Sequence, residues 1–325
     1  MKKTYFEGRY YKSQNKNQTV ALIPAKHVDI NGIQSASIQL ITDKGAFCTW
    51  HPYQESQSSR NYIRIGENQF HEQGITLNLK TDEVTAFGKL SFGPLSPLRY
   101  DIMGPFRYIP LLECRHSVYS MIHTVQGRLV INDIEYVFDP GLGYIEGDCG
   151  RSFPSVYAWT QCLFENTGNQ APCSLMLSVA DIPFGFIHFT GIIGVIEWRG
   201  KQYRIATYLG AKVIQIGGGE IIIKQGCYQL TVKLIHKQEK PLYAPISGKM
   251  TRIIHEDPSC SVYYHFKKMV SLYLNSYQTV LHLNMNMSNN EYCSNQYFLS
   301  YLNNIININL IHIPVDTCLK PFKTR

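Results

Sequence analysis

Short runs rich in Val, Ile, Leu, Tyr and Phe alternate with Gly, Pro and Asn along most of the chain, and no segment keeps a helical period. Leu129-Val130-Ile131 and Ile134–Phe138 flank Asn132-Asp133, which predicts a hairpin with a two-residue turn. Val195–Trp198 and Gln202–Ile205 flank Arg199-Gly200-Lys201, a second hairpin. Laid over each other, the two place Tyr136 on Tyr203, a faint sign of one antiparallel unit used twice. Ser37–Ile41, Gly74–Leu79, Tyr157–Phe164, Leu175–Val179, Ala211–Ile216, Glu220–Ile223 and Tyr228–Ile235 follow the same grammar and predict further strands. Many strands at short spacing imply an all-β chain, an antiparallel barrel or sandwich. Ser91–Pro110 is rich in proline and reads as an irregular crossing between two halves. Asn accumulates from Asn284 to Asn309, the composition of an appendage outside the core.

Composition narrows the picture. The chain has 325 residues, 44% hydrophobic and 17% charged, so it can bury a sizeable core and is not broadly disordered. Aromatics reach 12%, which favours strands over helices. The net charge of +7 is spread without a basic run, so a nucleic-acid partner is not expected. The nine cysteines contain no CxxC pair, which removes zinc-ribbon and thioredoxin signatures and predicts reduced thiols in a cytoplasmic protein. Met1-Lys2-Lys3 leads into Thr-Tyr-Phe-Glu rather than an apolar export region. The most apolar stretch, Ile182 to Trp198, is broken by Pro183, His188 and Glu197, a poor membrane helix. Gly217-Gly218-Gly219 lacks dinucleotide-loop spacing and reads as a bend. The eleven histidines form no ligand spacing, so no metal is expected.

Three segments resemble the tocopherol cyclase family. The first is Tyr5-Phe6-Glu7-Gly8-Arg9-Tyr10-Tyr11-Lys12. The second, and most specific, runs Gly143-Tyr144-Ile145-Glu146-Gly147-Asp148-Cys149-Gly150-Arg151-Ser152-Phe153-Pro154 and continues through Tyr157-Ala158-Trp159-Thr160-Gln161-Cys162. The third is Ala244-Pro245-Ile246-Ser247-Gly248-Lys249-Met250 with Ile254-His255-Glu256. Arg9 stands where the family has an aromatic, and Cys149 where it has a large or charged residue. The resemblance spans about residues 4–275 and implies two lipocalin-like antiparallel β barrels or half-barrels packed together, residues 1–140 and residues 141–283; the Asn-rich stretch 284–325 has no counterpart in it and is expected to be an extension. It also implies chemistry without a cofactor, closing a ring by adding a phenol hydroxyl across an alkene of an apolar or prenylated small molecule. Such a substrate suggests peripheral contact with a membrane. The oligomeric state is left open.

That chemistry needs a carboxylic acid held protonated, aromatic faces for a carbocation, and a base for the hydroxyl. On a two-residue period Tyr144, Glu146 and Asp148 share one strand face, with the two carboxylates roughly 7 Å apart. Asp148 and Glu146 are therefore the candidate catalytic pair. Tyr157, Trp159 and Gln161 share the face of the next strand and supply aromatic surface and a polar handle. Glu7, Arg151 and His255 complete the candidate substrate-binding set with Tyr144. Arg115 and His116 follow the proline-rich crossing, as headgroup ligands or as scaffold. A structural role stands beside each: Arg151 as an ion-pair partner of Asp148 or Glu146, Glu7 as a surface charge near Arg9, His255 as a satisfied histidine. Three functions fit this reading: a cyclase or isomerase, a carrier or sensor of an apolar ligand, and a partner-binding protein whose cavity is filled by side chains.

Overall fold

The computed structural model describes residues 4–109, 112–164, 172–184 and 186–268, together with the backbone of residues 283–284. The extension predicted over 284–325 otherwise lies outside the described residues. Eleven strands build the first sheet: β1 (Tyr5–Gln14), β2 (Thr19–Val28), β3 (Gln34–Thr42), β4 (Ala46–Pro52), β5 (Ser56–Ser58), β6 (Tyr62–Ile65), β7 (Asn68–His71), β8 (Gly74–Lys80), β9 (Thr85–Phe92), β10 (Cys114–Ile131) and β11 (Ile134–Gly150). Their order is β4-β3-β2-β1-β11-β10-β9-β8-β7-β6-β5, and the sheet curls into a nearly closed antiparallel barrel. β12 (Tyr157–Phe164), β13 (Cys173–Phe184), β14 (Ile187–Trp198) and β15 (Lys201–Ala206) form a second sheet in sequential order. β16 (Lys212–Gly217), β17 (Glu220–Gln225), β18 (Tyr228–His236), β21 (Ser261–Lys268) and β22 (Leu283–Asn284) form a third. β19 (Lys240–Ile246) and β20 (Lys249–Glu256) make a separate two-stranded ribbon. The all-β expectation holds, and no helix of the described residues is long and apolar enough to cross a membrane.

The apolar side chains fall into three clusters. One fills the barrel, with Leu22, Ile38, Phe70, Leu129 and Phe138. One lies between the second and third sheets, with Leu175, Ile196, Ile223, Val232 and Phe266. The third sits between these two and contains Tyr10, Tyr144, Trp159, Val195, Leu242 and Ile254. Alternation distributes single strands between clusters: Tyr11 and Ile145 enter the barrel, while their neighbours Tyr10 and Tyr144 enter the middle layer. On β12, Ala158, Cys162 and Phe164 join the C-terminal cluster and Tyr157, Trp159 and Leu163 the middle one, so all eight of its residues are buried.

Turn chemistry sets the registers. Asn132 and Asp133 have φ of 46° and 63°, the type I′ geometry predicted from their sequence. In the second hairpin Trp198 pairs with Lys201, so the turn is Arg199-Gly200 and Lys201 belongs to β15. Gly218-Gly219 closes β16 on β17 as a hairpin turn. The proline-rich crossing joins β9 to β10, neighbours in one sheet, so it does not separate two halves. It packs instead over the middle layer, where Ile102 and Met103 are buried. β11 runs unbroken through residues 140 and 141, where the sequence reading sets its domain break.

The three family-like segments meet. The Ser247-Gly248 turn of the β19–β20 ribbon docks on the other two: Gly248 N donates to Arg151 O at 2.7 Å, and Ser247 N to Ser152 Oγ at 2.9 Å. Phe153 N donates to Pro245 O at 3.2 Å, and the Phe6 and Phe153 rings pack edge to face at 5.3 Å. A Cβ on Gly248 would meet Val28 O at 2.0 Å and Tyr5 N at 3.0 Å, with φ at +75°. Gly248→Ala is therefore expected to destabilise by about 3 kcal/mol or more, because backbone must move as well as adopt a disfavoured φ. Gly200→Ala, at φ +69° with open space around it, should cost only about 1 kcal/mol. Urea unfolding of the two variants checks the contrast.

Candidate active site

A cavity of about 1270 Å³, its open mouth included, lies in the middle layer on the outer face of the barrel. Its floor is the face of β1, β2 and β11 that carries Phe6, Ala25 and Glu146; its roof is β12–β14, and the β19–β20 ribbon closes one side. Met103 and Phe106 of the proline-rich crossing also line it. The barrel interior is filled by side chains, so the space for a ligand lies between sheets rather than inside the barrel.

His116, Glu146, Asp148 and Glu256 line this mostly apolar space, with His27, Arg9 and Cys114 also on its wall. β10 and β11 pair His116 with Asp148, which sets the imidazole beside the carboxylate. His116 Nδ1 lies 3.0 Å from Asp148 Oδ1 in a hydrogen bond, and Nε2 lies 3.3 Å from Glu146 Oε2, within ion-pair range but off hydrogen-bond geometry. Burial opposes a charged ring, yet Asp148 and Glu146 outweigh it and push His116 up to about 10. His116 is therefore an imidazolium clamped between two carboxylates at neutral pH. Tyr144 donates to Glu146 Oε2 at 2.6 Å, and Cys114 Sγ to Asp148 Oδ1 at 3.3 Å.

Glu256 has a different setting. It is buried at the end of β20, and Tyr10 donates to its Oε1 at 2.9 Å. Burial, with Glu146 adding to it and Tyr10 opposing, pushes Glu256 up to about 8, so the acid is protonated at neutral pH. Trp159 stands edge to face with Tyr10 at 5.5 Å. The Tyr157 hydroxyl and the Trp159 indole N–H have no hydrogen-bond partner among the described residues. Behind Tyr10 on the same strand, fully buried Lys12 donates to Gln161 Oε1 at 3.0 Å, and burial lowers it to about 8.

His116, Glu146 and Asp148 hold donor atoms within 4.8 Å of one another, a separation compatible with one metal ion. Ligation needs a deprotonated ring, and here each imidazole nitrogen faces its own carboxylate. A cation would have to displace a proton held to about 10. The donor set fits an ion-paired imidazolium better than a metal centre.

The structure brings together Glu146, Asp148, Tyr157 and Trp159 on the cavity wall. Tyr144 and Gln161 stand one layer back, bonded to Glu146 and Lys12 respectively. Glu7, Arg151 and His255 do not line the cavity. Glu7 alternates away from Phe6 and Gly8, onto the barrel side of β1, where Ser58 Oγ lies 3.5 Å away. Arg9 shares that side, buried, with its guanidinium 4.7 Å above the Tyr119 ring and donating to Ser59 O at 2.7 Å. Arg151 is exposed in the bend after β11, and the ion pairs of Asp148 and Glu146 are with His116 instead. His255 is exposed on the outer face of the ribbon, so its neighbour Glu256 points inward. Glu256 and Tyr10 have no assigned role in the sequence reading; with Ile253 and Ile254 both apolar, alternation alone does not say which of His255 and Glu256 faces inward.

No protein-family model matches the chain, and no curated protein matches it. A solved structure shares its fold. An AttH protein from Nitrosomonas europaea superposes with a TM-score of 0.50 at 6% identity, over 95% of this chain and 91% of that one. Kievitone hydratase from Nectria haematococca gives a TM-score of 0.46 at 9% identity, over 95% and 87%.

Because Glu256 rises from 4.5 to about 8 on folding, folding favours its neutral form. That contribution is complete below pH 4.5 and is lost as pH rises through 8. His116, raised from 6.5 to about 10, carries the same sign over a higher window. Glu256→Gln removes the first of these alone. Its melting temperature should match the wild type at pH 4.5 and exceed it progressively up to pH 8, for a final difference on the order of 4 kcal/mol. Thermal denaturation across that range is the check; parallel curves at all pH values would show that Glu256 does not titrate as stated.

Proposed function

We propose that this protein is an acid–base catalyst that adds an O–H group across an alkene of a largely apolar small molecule, closing a ring or shifting functionality without a cofactor. The observation that carries the reading is a buried, protonated Glu256 facing the same apolar cavity as the Glu146–His116–Asp148 cluster. Tyr10 occupies Oε1 of Glu256, so Oε2 carries the acidic proton. The alkene π pair takes that proton and forms a C–H bond, leaving a tertiary cation. The rings of Trp159 and Tyr157 offer it π faces. The carboxyl oxygens of Glu146 and Asp148 face the same cavity and can turn toward the developing cation. The hydroxyl oxygen then forms the C–O bond as its proton passes to Asp148 or Glu146, and the proton returns to Glu256 through solvent between turnovers. The unpartnered Tyr157 and Trp159 donors suit the oxygen of a phenolic head. The resemblance to tocopherol cyclases supports a prenylated phenol as the substrate class.

Incubation with prenylated hydroquinones is expected to give a cyclised product of unchanged mass by chromatography and mass spectrometry. Glu256→Gln should lower kcat by about 100-fold or more while ligand-induced thermal stabilisation persists. Asp148→Asn should lower kcat through loss of the base. Wild-type turnover in Glu256→Gln would overturn the assignment. Ligand stabilisation without any product in the wild type would make the protein a carrier.

A further inference from the structure

The register of the second sheet continues the cavity wall to the surface. Residues paired across antiparallel strands share a face. Ala180 pairs with Gly191, Ile182 with Phe189, and Phe184 with Ile187. The first two pairs line the cavity. The third follows on the same face, one pleat repeat or roughly 7 Å further out, and it is exposed: Phe184 by 48% and Ile187 by 62%. Phe186, in the turn between them, is fully exposed. Alongside, Phe106 packs on Phe189 at 5.5 Å, which brings exposed Tyr108 and Arg107 to the same end of the molecule. An apolar face thus runs without a polar break from the cavity to a projecting hairpin tip.

Contiguous exposed apolar side chains mark an interaction site. At these exposures Phe184, Phe186 and Ile187 together offer on the order of a few hundred Å², short of the roughly 800 Å² per partner of a stable protein interface. A narrow apolar tip suits insertion roughly 5–10 Å into the headgroup and acyl boundary of a bilayer. The net charge of +7 favours an anionic surface.

We propose that the β13–β14 tip inserts into the surface of a lipid bilayer and that the cavity's ligand moves along the Phe184/Ile187 and Ile182/Phe189 face between membrane and cavity. The ligand path rests on the apolar-ligand reading above; insertion does not. Co-sedimentation of the full chain with vesicles of phosphatidylcholine and phosphatidylglycerol should show binding. Substituting Phe184, Phe186 and Ile187 together by serine should lower the partition coefficient roughly tenfold or more. The same triple variant should keep its fold by circular dichroism and its thermal stabilisation by soluble ligand, so a failure of the membrane step is separable from a failure of the cavity reading. Phe186→Trp should shift its emission to the blue on vesicle addition. Wild-type protein left in the supernatant would overturn the proposal. So would equal partition of the triple variant, or a tip substitution that changes only the oligomeric state in gel filtration.

Discussion

β1, β12 and the half of β11 from Gly141 onward are largely buried on both faces, and the rest of the molecule is arranged around that constraint. A strand covered on one side only needs one apolar set. These strands need two, one for each core they touch. Tyr11 and Ile145 seal the barrel, so Tyr10 and Tyr144 must face the middle layer. Ala158 and Cys162 seal the C-terminal core, so Tyr157 and Trp159 must face it as well. Two filled cores thus fix the positions of side chains that belong to neither interior. The cavity follows from this: it is the part of the middle layer where facing side chains do not interdigitate.

The layer is also where charge is concentrated. A lone imidazolium or carboxylate there would be costly. His116 is tolerated because two carboxylates face its two nitrogens, and those carboxylates are tolerated because Tyr144 and Cys114 donate to them. Glu256 makes no ion pair among the described residues, and its burial outweighs the pull of Lys12, so it keeps its proton, with Tyr10 satisfying one oxygen. Lys12, two residues along β1, is satisfied by Gln161 and lowered to about 8 by the same burial. One low-dielectric layer therefore holds two kinds of carboxyl environment, one ion-paired with an imidazole and one hydrogen-bonded to a phenol. Different roles for two kinds of acid within one cavity arise from this divergence.

Periodicity made much of this legible from the chain. Period-two alternation over Tyr144–Asp148 and Tyr157–Gln161 put the correct side chains on one face, and Asn132-Asp133 specified its own turn. Proline-rich Ser91–Pro110 was legible as irregular, but its destination was not: lack of regular structure does not reveal that the segment lies across a cavity within one sheet. His116 could not be ranked above Arg115 because its importance depends on register with Asp148, a contact across strands. Glu256 and His255 are adjacent, and alternation assigns them to opposite faces without saying which face is inside. Only the docking of the Ser247-Gly248 turn against Arg151 and Ser152 decides that.

The distribution of costly features argues that the layer is kept for what it does. Glu256, Lys12 and His27 each have their ordinary charged form disfavoured by burial. Tyr157 and Trp159 leave buried donors without partners. Each would be less costly as an apolar residue of similar volume, and the two flanking cores show that this chain can fill space with such residues. All five belong to the layer that holds the cavity. His123 and Arg204 break the same rules away from the cavity wall, but the concentration of such costs in this one layer is the physical signature of a site rather than of a scaffold. The exposed tip of β13 and β14 belongs to the same pattern. Phe184 and Ile187 break the rule against contiguous exposed apolar surface on the same face that lines the cavity. The face that must be apolar to hold a ligand is thus continuous with the face that stays apolar where water would favour polar residues.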